Sequence, residues 1–213
     1  MKLSTRELAT IAVFGTLWGL SEISLGSVLK SLNVPFSGAV LAAIGLTIAM
    51  VGRLFVPKKG STLFIGVIAM LLKLFSLGGV ILGPMVGIIT EALVAEIVLS
   101  LAVKPRLFSF MLAGAFGVTW TLAQPLVTGP LLFGRSLFVV WLDLLDTGSR
   151  LLGLKDNAVL WIVIALLAIY LFIGCLAGWL SWNIAKQLQT RLGRSQSDDL
   201  ESKANTAIEE KEN

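Results

Sequence analysis

Along this chain, polar positions are sparse and cluster between long apolar runs. Six such runs are about 20 residues long, and a hydrocarbon core of about 30 Å needs about that many residues per helix. They cover residues Leu8–Leu29, Phe36–Phe55, Ser61–Leu77, Val80–Val103, Leu107–Val127 and Ala158–Ala185. The breaks between them carry helix-ending residues: Asn33 and Pro35, Pro57 with Lys58 and Lys59, Gly78-Gly79 with Gly83-Pro84, and Lys104-Pro105-Arg106. Glycine and proline punctuate helices because one is too free and the other lacks the backbone donor. Pro125, Gly129 and Pro130 predict that the fifth run loosens near its end. The pattern predicts an all-α, polytopic membrane helix bundle of about six transmembrane helices, filling residues 1–190.

Two segments depart from this pattern. Residues 135–156 keep a helical period, with Asp143, Asp146 and Arg150 on one face and Leu137, Trp141, Leu144 and Leu151 elsewhere. This predicts an interfacial helix, serving as a cover over the bundle or as a lid over a pocket. Residues 195–213 are acidic and polar, with Asp198, Asp199, Glu201, Glu209, Glu210 and Glu212 against Lys203 and Lys211. So little apolar area predicts a disordered tail.

Composition narrows the function. Apolar residues make up 56%, charged residues 14%, and the mean hydropathy is +0.89. Soluble domains carry about 25% charged residues. The absence of histidine removes His-based triads and the usual zinc sites, and the single cysteine, Cys175, removes an intrachain disulfide. No glycine-rich loop ending in Gly-Lys-Ser/Thr is present, so the chain is not expected to hydrolyse ATP. No catalytic constellation, cofactor site or metal site is expected.

The net charge of +4 reads as membrane topology and not as nucleic-acid binding, because the basic residues sit at helix ends. Lys2, Arg6, Arg53, Lys58, Lys59, Lys104, Arg106, Lys186, Arg191 and Arg194 fall on one side. Lys30, Arg135, Arg150 and Lys155 fall on the other, among Asp143, Asp146 and Asp156. The positive-inside rule then predicts a multi-pass cell-membrane protein with both termini cytoplasmic.

Ionisable residues inside the spans carry the functional signal. At a helix centre each costs about 2.5–3.5 kcal/mol on insertion scales, so each is expected to face protein or water. Glu22 lies roughly 10 Å below the outer end of its helix at 1.5 Å per residue. Lys73, Glu91 and Gln124 come from three further helices, and Trp18, Trp120 and Trp161 lie at comparable depths. Glu22, Lys73, Glu91, Trp18, Trp120 and Gln124 are therefore candidates for a pocket open to the outside, suited to a heteroaromatic or zwitterionic solute. A structural Glu–Lys pair is the competing reading. Glu96 is deeper and on a different face from Glu91. Small residues recur as a stripe on the first helix (Ala12, Gly15, Gly19, continued by Glu22 and Gly26), and such stripes allow close helix packing.

The architecture of about residues 1–190 resembles the substrate-binding S component of energy-coupling-factor vitamin transporters. The segment Ala12-Val13-Phe14-Gly15-Thr16, with Gly19 beyond it, is similar to the family's Ala-x-x-x-Ala pattern, with glycine and threonine where a second alanine is expected. The resemblance implies that Ala12, Gly15, Thr16 and Gly19 dock a transmembrane coupling subunit, which works with ATPase subunits. The segments from Gly26 to Pro35, including Asn33, and from Leu77 to Pro84 look like outer loops that enclose a vitamin-like ligand. Such a protein is a receptor and not an enzyme. A stand-alone, ion-coupled carrier using Glu22, Glu91 or Glu96 is the alternative, and a non-transport assembly factor is the third.

Overall fold

A computed structural model describes residues 3–75, 82–102, 105–153 and 158–212, with side chains placed as far as Arg191 except at Lys30. The described residues form seven helices joined by turns, with no strand among them. These are α1 (Thr5–Ser31), α2 (Ser37–Phe55), α3 (Ser61–Lys73), α4 (Leu82–Leu101), α5 (Leu107–Phe133), α6 (Leu137–Leu152) and α7 (Val159–Glu212). Five of them, α1, α2, α4, α5 and α7, are long and apolar enough to cross a membrane. Leu20, Phe116, Leu160 and Phe172 are among many large apolar side chains left exposed, as lipid contact requires.

The expected third span is the one that differs. Its helix has 13 residues, about 20 Å at 1.5 Å per residue, shorter than the hydrocarbon core. It ends at Lys73, where Leu74 and Phe75 form a turn. The loop expected at Leu77–Pro84 lies mostly outside the described residues. The fifth span is longer than its prolines predict, running through Pro125 and Pro130 to Phe133. At this level the Thr128 hydroxyl donates to the Gln124 carbonyl of its own helix at 3.0 Å. The tail expected to be disordered continues α7 as helical backbone to Glu212. Residues 195–212 contain neither glycine nor proline and are rich in helix-forming Glu, Lys and Ala.

The main core lies among α1–α5, around Trp18, Leu46, Met50, Ile65, Ala92 and Phe110. The most extensive helix pair is α5 with α7. There Gly114 faces Gly174, and a Cβ on either would lie 2.2–2.3 Å from the other's carbonyl oxygen. Gly178, one turn along α7, stands equally close to the Phe110 carbonyl. Gly174 and Gly178 form a GxxxG pair, which brings helix backbones together where lipid supplies no hydrophobic drive.

Helix α6 lies across the ends of α5 and α7. Val140 fills the space over Gly129, and Gly148 rests on Ile162 and Leu166. Ser136 caps its start by accepting from the Val139 amide at 3.3 Å, and Gly153 ends it at φ 66°. Its exposed Asp146 is hydrogen-bonded by the Arg150 guanidinium, which holds the carboxyl below its ordinary range.

The start of α1, the α2–α3 turn and the inner part of α7 meet at one end of the bundle. Lys58 Nζ pairs with Glu7 at 2.7 Å, and the Gln189 amide donates to the Leu54 carbonyl at 3.3 Å. Arg53, Lys59 and Pro105 line one hollow there. This basic end gathers Arg6, Arg53, Lys58, Lys59, Arg106 and Lys186, while Lys73, Arg135 and Arg150 lie toward the other.

Candidate functional site

Close packing of α1, α3 and α4 brings charged residues together away from the basic end. Gly15 and Gly19 of α1 seat Ile68 and Leu72 of α3, where added Cβ atoms would lie 2.6 and 2.8 Å from those side chains. Gly66 of α3 in turn seats Ala92 of α4. At the end of this tightly packed layer, Lys73 reaches back from α3 to α1. Its Nζ donates to the Glu22 carbonyl oxygen at 3.0 Å and lies 3.5 Å from the Glu22 carboxylate. Gly26, one turn beyond Glu22, lies beside the ammonium, where a Cβ would make ordinary contact with Nζ at 3.6 Å. Both side chains are about nine-tenths buried, which strengthens their attraction and raises the cost of removing one partner.

Glu91 is a third buried ionisable residue. It sits at the middle of α4, 6% exposed, on the side of the helix shared by Gly87, Ile88 and Ala95. Glu91 Oε2 is buried with no hydrogen-bond partner among the described residues. Most buried polar groups are paired, so an orphan marks a place where something is missing or stored.

The other predicted pocket residues are placed differently. The Gln124 amide donates to the Gly83 carbonyl at 2.8 Å and packs over Gly87, tying α5 to the start of α4. The Trp120 indole donates to Thr90 Oγ1 at 2.7 Å, while its ring lines an apolar hollow of about 380 Å³ between α4 and α5. Trp18 is fully buried against Gly45, one turn along α1 from Glu22, and its Nε1 has no partner among the described residues. Trp161 is 67% exposed on α7, away from this cluster. Asn33 is an exposed turn residue at φ 49° between α1 and α2, a left-handed conformation that asparagine tolerates better than most residues. Thus Glu22 and Lys73 pair, Glu91 is buried on α4, Gln124 and Trp120 fasten α5 to α4, and Asn33 stands apart.

The small-residue stripe on α1 is divided. Gly15 and Gly19 are occupied by α3, whereas Ala12 and Thr16 are exposed. Of the four residues expected to meet a coupling subunit, only Ala12 and Thr16 are exposed. Their neighbours Val13, Leu17 and Leu20 are exposed too, at 57%, 49% and 54%.

A second charged constellation, at the basic end, was not foreseen from the sequence. Glu96 of α4 is 6% exposed and accepts from the backbone amides of Gly60 at 2.7 Å and Thr62 at 3.0 Å. It thereby caps the first turn of α3, which has no acidic residue of its own and whose free amides carry positive partial charge. Arg53 stands 3.6 Å from Glu96 and donates to Ser61 Oγ at 3.1 Å. The sequence signal was an uncapped helix start at Gly60-Ser61, with Arg53 and Glu96 both within the last two turns of their helices.

Comparison of the chain with protein-family models, with curated proteins and with solved structures gave no match.

Proposed function

We propose that this chain is a membrane receptor subunit that binds a small vitamin-like solute from outside and relies on partner ATPases, through a coupling subunit, for uptake. The observation that carries this reading is that Glu22, Lys73 and Glu91, on three different helices, are all buried away from the basic end, the first two as a pair. Ionisable groups at membrane depth are costly and rare, and they commonly mark solute or ion pathways. The exposed Ala12 and Thr16 face fits the role of a surface for the coupling subunit, and the cell membrane is the compartment this role requires.

Glu91 specifically favours a second reading, a stand-alone carrier in which a buried carboxyl moves protons. Uptake separates the two. A receptor subunit transports only with its partners present and fails when the Walker lysine of the partner ATPase is replaced. Uptake by this chain alone, abolished by an uncoupler, would instead establish the carrier and discard the receptor.

A further inference from the structure

We infer that the hollow at the basic end of the bundle binds the phosphate headgroup of an anionic membrane lipid, with Arg53 and Lys59 as its cationic ligands. This site lies at the end opposite the Glu22–Lys73 pair and does not depend on the solute-binding role.

The hollow has a volume of about 160 Å³ and lies where the end of α2, the end of α4 and the start of α5 meet. Arg53, Lys59 and Ser100 give it a polar lining, while Leu54, Leu99 and Phe110 give it apolar surface. The Arg53 side chain is only 11% exposed, so the fold holds this cation in place. A guanidinium carries five donors in a planar fork that matches two phosphate oxygens. Among the described residues, Arg53 donates one hydrogen bond, to Ser61 Oγ at 3.1 Å. Glu96 balances its charge from 3.6 Å, beyond hydrogen-bond reach. The Glu96 oxygens are engaged by the amides of Gly60 and Thr62 and by the Ser100 hydroxyl. The guanidinium therefore keeps donors for a further acceptor.

Positive charge beyond that pair comes from two other groups. Lys59 is exposed at the rim, with no carboxylate partner among the described residues, whereas its neighbour Lys58 is paired with Glu7. The start of α5, where Pro105 and Phe110 line the hollow, has no side-chain cap and no acidic residue in its first turn. Its free amides add positive partial charge. Two features favour a lipid over a soluble anion. Leu54, Leu99 and Phe110 offer apolar surface that inorganic phosphate cannot use. Leu101 and Phe108, on either side of the α4–α5 connection, are 78% and 69% exposed, which sets lipid-facing surface beside the hollow. Basic pockets between helices near the cytoplasmic face hold lipid headgroups in this manner.

The test uses the full-length protein in a neutral detergent, with lipid binding read by native mass spectrometry. Phosphatidylglycerol and phosphatidylcholine of identical acyl chains are titrated separately, and the melting temperature is followed with each and with inorganic phosphate. Phosphatidylglycerol is expected to bind more tightly than phosphatidylcholine and to raise the melting temperature. Lys59→Gln is expected to weaken phosphatidylglycerol by about fivefold, the effect of one basic charge near the membrane surface, and to leave phosphatidylcholine unchanged. Arg6→Gln and Arg191→Gln, which remove charge at the same end but outside the hollow, are expected to change neither. Equal binding of the two lipids overturns the inference, as does a Lys59→Gln variant that binds undiminished. An equal loss in Arg6→Gln or Arg191→Gln also overturns it, because the site would then be a diffuse basic surface. Stabilisation by inorganic phosphate equal to that by phosphatidylglycerol would assign the hollow to a soluble anion and reject the lipid. Should Lys59→Gln fail to fold, phosphatidylglycerol with a photoreactive headgroup decides on the unaltered protein. Crosslinks to residues 53–59 support the site, and crosslinks confined to other segments overturn it.

Discussion

Glu96 holds α3 in place by lending a carboxylate to amides that its own sequence leaves uncapped, and Arg53 neutralises the result. Removing one partner of a buried charged pair strands the other, at a cost of about 3–5 kcal/mol. Glu96→Ala is therefore expected to lower the melting temperature sharply, and Glu96→Gln, which keeps an acceptor, to lower it less. Equal melting of the two variants would show that charge at this position does not support α3. The Glu22–Lys73 pair makes a different demand. If the pair is structural alone, Glu22→Gln destabilises, and adding Lys73→Met restores part of the loss by removing the stranded ammonium. Unchanged stability in Glu22→Gln with loss of solute would place Glu22 in recognition instead. The depth of Glu22 and Lys73 was readable because each is charged within an apolar run. The role of Glu96 was not, because its partners Gly60 and Thr62 lie more than thirty residues away and contribute only backbone amides.

Among the helices, the α5–α7 contact depends most on the absence of side chains. Gly114, Gly174 and Gly178 bring backbone against backbone, and an added methyl has no flexible neighbour to displace. Overpacking of this kind costs about 1–3 kcal/mol. Gly174→Ala and Gly178→Ala are expected to lower thermal stability by amounts in that range, measured in one detergent. Gly38→Ala, where a Cβ meets nothing within 4 Å, is expected to be neutral or slightly stabilising, since alanine is the better helix former. A Gly174→Ala variant as stable as Gly38→Ala would contradict the packing. The apolar runs made α1, α2, α4, α5 and the membrane part of α7 legible, because hydrocarbon thickness fixes both their length and their composition. Their limits were less legible. Pro125 and Pro130 read as terminators, yet α5 passes through both; conversely, the apolar run after Lys73 read as helix where a turn begins. The Gly174–Gly178 pair was present in the sequence, but an equally good small-residue stripe on α1 drew the functional reading. Only the facing residues distinguish them: Ile68 and Leu72 for Gly15 and Gly19, the α5 backbone for Gly174 and Gly178.

For the molecule as a whole, orientation in the membrane follows from the two unlike ends of the bundle. Contacts from Lys58 to Glu7 and from Gln189 to Leu54 bring the start of α1, the α2–α3 turn and the inner part of α7 to one end. That end carries Arg53, Lys59 and Arg106, while Asp143 and Asp146 accompany Arg135 and Arg150 on α6 at the other. Basic residues near span ends are retained in the cytoplasm, so the basic end is expected to face inward and the Glu22–Lys73 pair outward. Short α3 does not alter this, because it returns the chain to the far end with Lys73 at its tip. Reporters inserted at Lys59 and after Asn213 should both read cytoplasmic, and one inserted at Gly153, the exposed end of α6, should read external. Replacing Lys58 and Lys59 by neutral residues should leave the orientation unchanged, because the eight other basic residues that the sequence assigns to that side, Lys2, Arg6, Arg53, Lys104, Arg106, Lys186, Arg191 and Arg194, still outnumber Lys30, Lys73, Arg135, Arg150 and Lys155. An external signal at Lys59 would invert the bundle, turn the charged pair toward the cytoplasm and remove the basis for solute capture from outside.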